Sequence, residues 1–153
     1  MKKVIFICSG NTCRSPMAEA LFKFELEKNK ISGYSAESAG LFCHYQASAS
    51  PNSVAALNEL GIDLTEHQSN PVNSEKISSS YKIIALTENI ANHLKILFPE
   101  YSSKIYTLKF FLIGKNGDVS DPFGGDIDEY RDCRDEIYNC IKNIIHSIKL
   151  GGF

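Results

Sequence analysis

The sequence predicts an α/β fold of three layers, a four-stranded parallel sheet with helices on both faces. Three observations point there. Short, β-branched apolar runs alternate along the chain with segments whose apolar residues recur at helical spacing, the pattern of parallel strands joined by helical crossovers. The 153 residues, 43 % hydrophobic and 22 % charged, suit one domain, 1–153, around one core. The first apolar run ends in a polar Gly-Asn loop that leads straight into a helix start, at the carboxyl end of a strand where such sheets bind ligands.

Each element has its own signal. Lys3 to Cys8 is apolar and β-branched and reads as a buried strand. From Ser15 to about Lys28 a helix is expected, with Ser15 as N-cap, Pro16 in the first turn, and Met17, Ala20, Leu21 and Phe24 as its apolar stripe. "YSAESAG" (34–40) is a short second strand ending at a turn glycine. Asn52 to Leu60 is a helix stopped by Gly61, and the Ser/Asn/Pro-rich stretch 62–80 is mostly loop with room for one helical turn. "YKIIAL" (81–86) is a third strand, Glu88 to Phe98 a helix ended by Pro99, and "KIYTLKF" (104–110) a fourth strand. "GKNGDVSDPFGGD" (114–126), with four glycines and a proline, is loop. Ile127 to about Leu150 carries Ile127, Tyr130, Ile137, Ile141, Ile144, Ile145 and Ile148 on one helical face, with Asp126 as N-cap and Glu129 three residues on. The strand order expected is flavodoxin-like, 2-1-3-4.

The net charge of -2 gives no electrostatic case for nucleic acid or an anionic membrane as partner. No apolar run approaches the ~20 residues that span a bilayer. The start, "MKKVIFICSG", has an apolar stretch shorter than a signal-peptide core and reads as a first strand, which gives a cytoplasmic expectation. Five cysteines at uneven spacing, with no C-x-x-C pair and four scattered histidines, do not make a disulfide framework or a zinc site. No metal and no cofactor are expected.

The chemistry concentrates in "CSGNTCRS" (8–15). A loop entering a helix N-terminus presents unpaired backbone N–H groups and the positive end of the helix dipole, which together bind phosphate. Gly10 and Asn11 best tolerate the positive φ values that turn several N–H groups inward. Arg14 adds a planar fork for two phosphate oxygens. The same donors favour a thiolate on Cys8, aimed at the phosphorus of a bound phosphate monoester or phosphoramidate. A bare C-x5-R spacing is weak; the preceding strand, the Gly-Asn pair and the Ser-Pro helix start make it specific. Thiolate attack needs a group that protonates the leaving atom, and Asp121 in "SDPFGG" is the candidate, although Asp-Pro also serves simply to shape turns.

With these residues in view, "VIFICSGNTCRSPMAEALF" (4–22) and "GDVSDPFGGDIDEY" (117–130) resemble the low-molecular-weight protein tyrosine phosphatase family over nearly the whole chain. The resemblance implies a protein phosphatase working through a cysteinyl-phosphate, with Cys8 as nucleophile, Arg14 as phosphate-binding residue and Asp121 as general acid. It implies a phosphate-binding loop of Ser9, Gly10, Asn11, Thr12, Cys13 and Ser15, with Asn11 and Ser15 bracing it and His67 supporting it from behind. Cys13 matches a loop cysteine that in relatives can pair with the nucleophile; a small core residue is the equal alternative. Within the family, Thr12 and "DPFGGD", with the one aromatic Phe123, are similar to the bacterial protein arginine phosphatases rather than to tyrosine-directed members, which commonly carry an aliphatic residue at Thr12 and two aromatics after Asp-Pro. Thr87, where many tyrosine-directed members have aspartate, leans the same way, and Asn70 falls near a family arginine, so bracing there is expected to differ. Phe42, His44 and Tyr45 lie in the family's variable rim, where they contact substrate or simply pack.

Thr12 and Phe123 are therefore the expected specificity residues and a phosphorylated protein the expected partner, met by a monomer. Phosphotyrosine is the alternative substrate. An arsenate reductase fits less well, since Cys133 and Cys140 lie seven apart on one predicted helix, and a cysteine phosphocarrier would need neither Arg14 nor Asp121.

Overall fold

The computed structural model describes residues 1–153. The elements run β1 (Lys2–Cys8), α1 (Arg14–Lys28), β2 (Tyr34–Gly40), α2 (Pro51–Asn58), α3 (Ser74–Ser78), β3 (Lys82–Ala85), α4 (Glu88–Leu97), a 3₁₀ turn (Pro99–Lys104), β4 (Ile105–Thr107), α5 (Phe110–Ile113) and α6 (Ile127–Lys149). All strand pairs are parallel and the sheet order is β2-β1-β3-β4, as the sequence predicts.

Register explains where a site can form. Cys8 pairs with Gly40, Ile7 with Ala85 and Ala85 with Thr107, so the carboxyl ends of all four strands finish along one edge of the sheet. The chain leaves β1 toward β2 in one direction and β3 toward β4 in the other. Connections of one hand then place α1 and α4 on opposite faces, and the crevice between the ends of β1 and β3 is the topological switch point. Val4, Ile5, Phe6 and Ile7 of the central strand are fully buried, as a strand covered on both faces must be. Phe6 meets Phe22 of α1 edge-on, with ring centroids 5.7 Å apart.

Several local expectations change. The buried stripe of α1 is Met17, Ala18, Leu21, Phe22 and Leu26, while Ala20 and Phe24 are only half-buried; the stripe faces β1 and α6 at once and is wider than the sequence pattern suggests. Ser15 is not the N-cap. The helix starts at Arg14 with Cys13 as its cap residue and no side-chain cap bond, because the Ser15 hydroxyl is drawn into the loop instead. The last strand stops at Thr107. Leu108 N–H makes one more bond to the Ala85 carbonyl, then Phe110–Ile113 turns into a short helix closed by Gly114 at φ 74. There Tyr106, Phe110 and Phe111 pack on one another, with centroids 5.4–5.6 Å apart, which favours the turn over a longer strand. The capping box of α6 forms on the Asp126 side, whose carboxylate accepts from Glu129 N–H at 3.0 Å. No helix is long and apolar enough to cross a membrane.

Candidate active site

Strand β1 delivers Cys8, 3 % exposed, to the floor of a cavity of about 200 Å³. The cavity is lined by Cys8, Ser9, Gly10, Thr12, Cys13 and Arg14 from the loop, with Asp121 and Phe123 from the segment before α6. Residues 113 apart in sequence thus face one another across a phosphate-sized space.

The loop is built around Asn11. Its φ of 59° is left-handed, a conformation an asparagine tolerates, whereas Gly10 has no positive φ; the expectation that both glycine and asparagine turn this way holds for Asn11 alone. Asn11 is fully buried and every polar group on it is used. Its N–H points at Cys8 Sγ (3.3 Å), its carbonyl accepts from His67 Nε2 (2.8 Å), and its Nδ2 donates to Ser15 Oγ (2.8 Å) and Ser38 Oγ (2.9 Å). Its Oδ1 accepts from Asn70 N–H at 3.0 Å. A carbonyl cannot donate, so His67 carries its proton on Nε2. The N–H groups of Ser9, Gly10, Thr12, Cys13 and Arg14 donate to no carbonyl, the condition that makes a helix-entry loop an anion site.

Ser15 Oγ lies 2.9 Å from Cys8 Sγ. Because that oxygen already accepts from Asn11, its own hydrogen is free to point at the sulfur, where it supports a thiolate. Arg14 is 5 % exposed; its Nη1 is fixed by the Val119 carbonyl at 3.0 Å, and its Nη2 lies 3.5 Å from Asp121 Oδ2. Val119 in turn donates to the Leu86 carbonyl (2.9 Å), which anchors the Asp121 segment on the end of β3. Beyond that anchor the segment is open. The Asp121 side chain is half-exposed, its Oδ1 accepting from Phe123 N–H at 3.1 Å, and Phe123 is 77 % exposed.

Glycine is demanded at Gly40. A Cβ there would lie 2.8 Å from the Ser9 carbonyl and 2.8 Å from Cys43 Cβ, so the end of β2 packs backbone-to-backbone against the loop.

Cys13 is buried in the cavity wall, its thiol donating toward Ser50 Oγ (3.4 Å) and meeting the Tyr130 hydroxyl (3.4 Å). All five cysteines are free thiols. Burial, together with the bond to Cys13, raises the Tyr130 hydroxyl to about 12. Burial likewise raises Cys133 to about 12, against the pull of the Arg14 charge, and Cys140 to about 11, so both remain neutral thiols in the α6 core. Thr12 is half-buried, its carbonyl held by Ser50 N–H (2.9 Å) at the start of α2, and it also borders a neighbouring groove shared with Phe42, His44 and Tyr45. In that rim Phe42 packs edge-on against His93, while Tyr45 is 79 % exposed. Thr87 caps α4, accepting from Ile90 N–H.

At Asn70, where different bracing is expected, the backbone N–H and Nδ2 both donate to Asn11 Oδ1. The structure adds Ser38, Ser50 and Tyr130 to the loop's support. Nothing local marks these three: Ser38 reads as a strand residue and Tyr130 as one more apolar position of α6. Only their distant partners give them a role.

The sequence matches the family described as "Low molecular weight phosphotyrosine protein phosphatase" over residues 3–151. It is 40 % identical over 146 residues to a protein-arginine-phosphatase of Bacillus subtilis (strain 168), covering 95 % of this chain and 96 % of the relative. It is 37 % identical over 131 residues to the low molecular weight protein-tyrosine-phosphatase PtpB of Staphylococcus haemolyticus (strain JCSC1435), covering 84 % and 87 %. Among solved structures it superposes on a cysteine-to-serine mutant of the YwlE arginine phosphatase with a phosphorylated active-site serine, with a TM-score of 0.91, 39 % identity, and coverage of 96 % of this chain and 95 % of that one.

Proposed function

The chain belongs to the low molecular weight phosphotyrosine protein phosphatase family and is a protein phosphatase; we propose that its substrates are proteins phosphorylated on arginine, and that Cys8, Arg14 and Asp121 perform the reaction. The observation that carries the reading is the single cavity in which these three side chains meet, with Thr12 in its wall.

The geometry supports a two-step displacement. The phosphoryl group sits on the free N–H groups of the loop with the Arg14 fork on two of its oxygens. Cys8 Sγ attacks phosphorus as the P–N bond to the guanidino nitrogen breaks, and Asp121, in its acid form, gives that nitrogen a proton. A guanidine is a strongly basic leaving group, so departure without the proton is prohibitive. Asp121, now a carboxylate, takes a proton from the water that attacks the cysteinyl-phosphate, and the thiolate leaves into the hydrogen bond from Ser15. Thr12 narrows the wall with its methyl group and offers a hydroxyl near the polar guanidinium, and Phe123 lies where it can cover one flat face of that group.

Phosphotyrosine is the second reading, favoured by the identity to the tyrosine-directed relative. Rates on phosphoarginine and phosphotyrosine peptides of one sequence separate the two. The expected outcome is a higher kcat/KM on phosphoarginine, with Thr12→Ile raising activity on phosphotyrosine. A wide preference of the unaltered protein for phosphotyrosine overturns the arginine assignment.

A further inference from the structure

Behind the loop, an ammonium group is connected to the nucleophile by a run of hydrogen bonds that all point the same way. Lys76, on α3, is half-buried and makes no salt bridge; its Nζ donates to Asn70 Oδ1. Asn70 Nδ2 faces two oxygens, Asn11 Oδ1 (3.4 Å) and the Ser38 carbonyl (3.1 Å). Asn11 Nδ2 donates to Ser15 Oγ, and Ser15 Oγ stands 2.9 Å from Cys8 Sγ.

An amide has one accepting end and one donating end, and an ammonium can only donate. Lys76 therefore fixes which way the Asn70 amide faces. Turned over, its NH₂ would confront the ammonium while its oxygen confronted two other oxygens. With Asn70 set, its Nδ2 joins its backbone N–H as a second donor to Asn11 Oδ1, and the Asn11 NH₂ must face Ser15 and Ser38. Ser15 then has its hydrogen left for the sulfur. Ser38 Oγ passes its own hydrogen to Glu19 Oε1 at 2.6 Å, so toward Asn11 Nδ2 it is an acceptor, as Ser15 Oγ is.

We propose that Lys76 is a positioning residue for catalysis, orienting through Asn70, Asn11 and Ser15 the hydrogen bond that supports the Cys8 thiolate. Each bond in such a chain polarises the next, so the fixed charge at its head strengthens the donor at its end. The proposal rests on Cys8 being the nucleophile and not on which phosphorylated residue it attacks.

The test uses Lys76→Met, which removes the donor and the charge, and Lys76→Arg, which keeps both. Lys76→Met is expected to lower kcat roughly threefold to tenfold, the worth of one hydrogen bond, with KM changed by less than about twofold. The pH midpoint for iodoacetamide alkylation of Cys8, followed by mass spectrometry of the Cys8 peptide, is expected to rise by about 0.5 to 1 unit. Arg14 and Asp121 across the cavity, Cys13 beside it and His67 behind Asn11 are the titratable or charged groups around the sulfur, and they are the same in every variant. Lys76→Arg is expected to restore both readouts. Alkylation needs no phosphorylated substrate, so it separates failure of this inference from failure of the phosphoarginine assignment. An unmoved midpoint in Lys76→Met, or a Lys76→Arg variant as impaired as Lys76→Met, overturns the role.

Discussion

The two loops that form the cavity are held in opposite ways. The phosphate loop, 8–15, is largely buried, and its central side chain, Asn11, has each polar group bonded to a residue from another part of the chain or from the loop itself. The acid segment, 118–126, is anchored at Val119 and capped at Asp126, and between those points Asp121 is half-exposed and Phe123 stands largely in solvent. The contrast fits the proposed chemistry. A loop that stabilises charge must have its donors fixed before the substrate arrives. A residue that gives a proton and then takes one from water needs access to solvent and freedom to follow the leaving group.

Two substitutions set this contrast against itself. Asp121→Asn is expected to lower kcat about 10²–10⁴-fold, with stability within about 0.5 kcal/mol of the unaltered protein, because little is packed on it. Asn11→Ala is expected to lower both, leaving buried donors and acceptors unpaired and an alanine in a left-handed conformation, at a stability cost of about 2–4 kcal/mol. Steady-state kinetics and denaturant unfolding on the same samples check both. Equal stability losses would mean that the two loops are not held differently after all.

Next in size is Gly40→Ala. The added methyl meets the Ser9 carbonyl at 2.8 Å, so β2 and the loop must separate, with an expected loss of about 1–3 kcal/mol and a fall in kcat. A fully active, stable variant would show the loop to be less rigid than its bonds suggest.

The smallest effect lies at the α2–α6 contact. Arg131 and Arg134 hydrogen-bond to Glu59 and hold its carboxyl down at about 2, from an ordinary 4.5. A depressed carboxylate contributes stability that is complete above about 4.5 and is lost as pH falls toward 2. Glu59→Gln is expected to flatten the acid limb of a stability–pH curve in that window and leave kcat at neutral pH unchanged. Glu59 and Arg131 are each more than a third exposed, so the change is modest even though Arg134 is buried.

Much of this molecule is written locally. The apolar runs of β1 and β3, the stop at Pro99, the Asp126 cap and the C-x5-R loop are read from neighbours within a few residues, because propensity and capping act over that range. Local reading failed where a side chain bonds or packs outside the element its own sequence suggests. Ser15 looks like an N-cap and instead serves the sulfur and Asn11; "KIYTLKF" looks like a strand to its end, and aromatic packing ends it at Thr107.

By itself, then, the sequence determined the parallel sheet, its order, and a phosphate-sized loop with a cysteine at its base and an arginine at its far end. Only the tertiary structure decided that Asp121 stands 3.5 Å from Arg14, that Tyr130 and Ser50 hold Cys13, and that Lys76 is joined to Cys8 through three intervening side chains. The reason is physical. Backbone preference is a property of short stretches, whereas a buried polar group must find its partner wherever packing brings one, and that place is fixed only when the whole core closes.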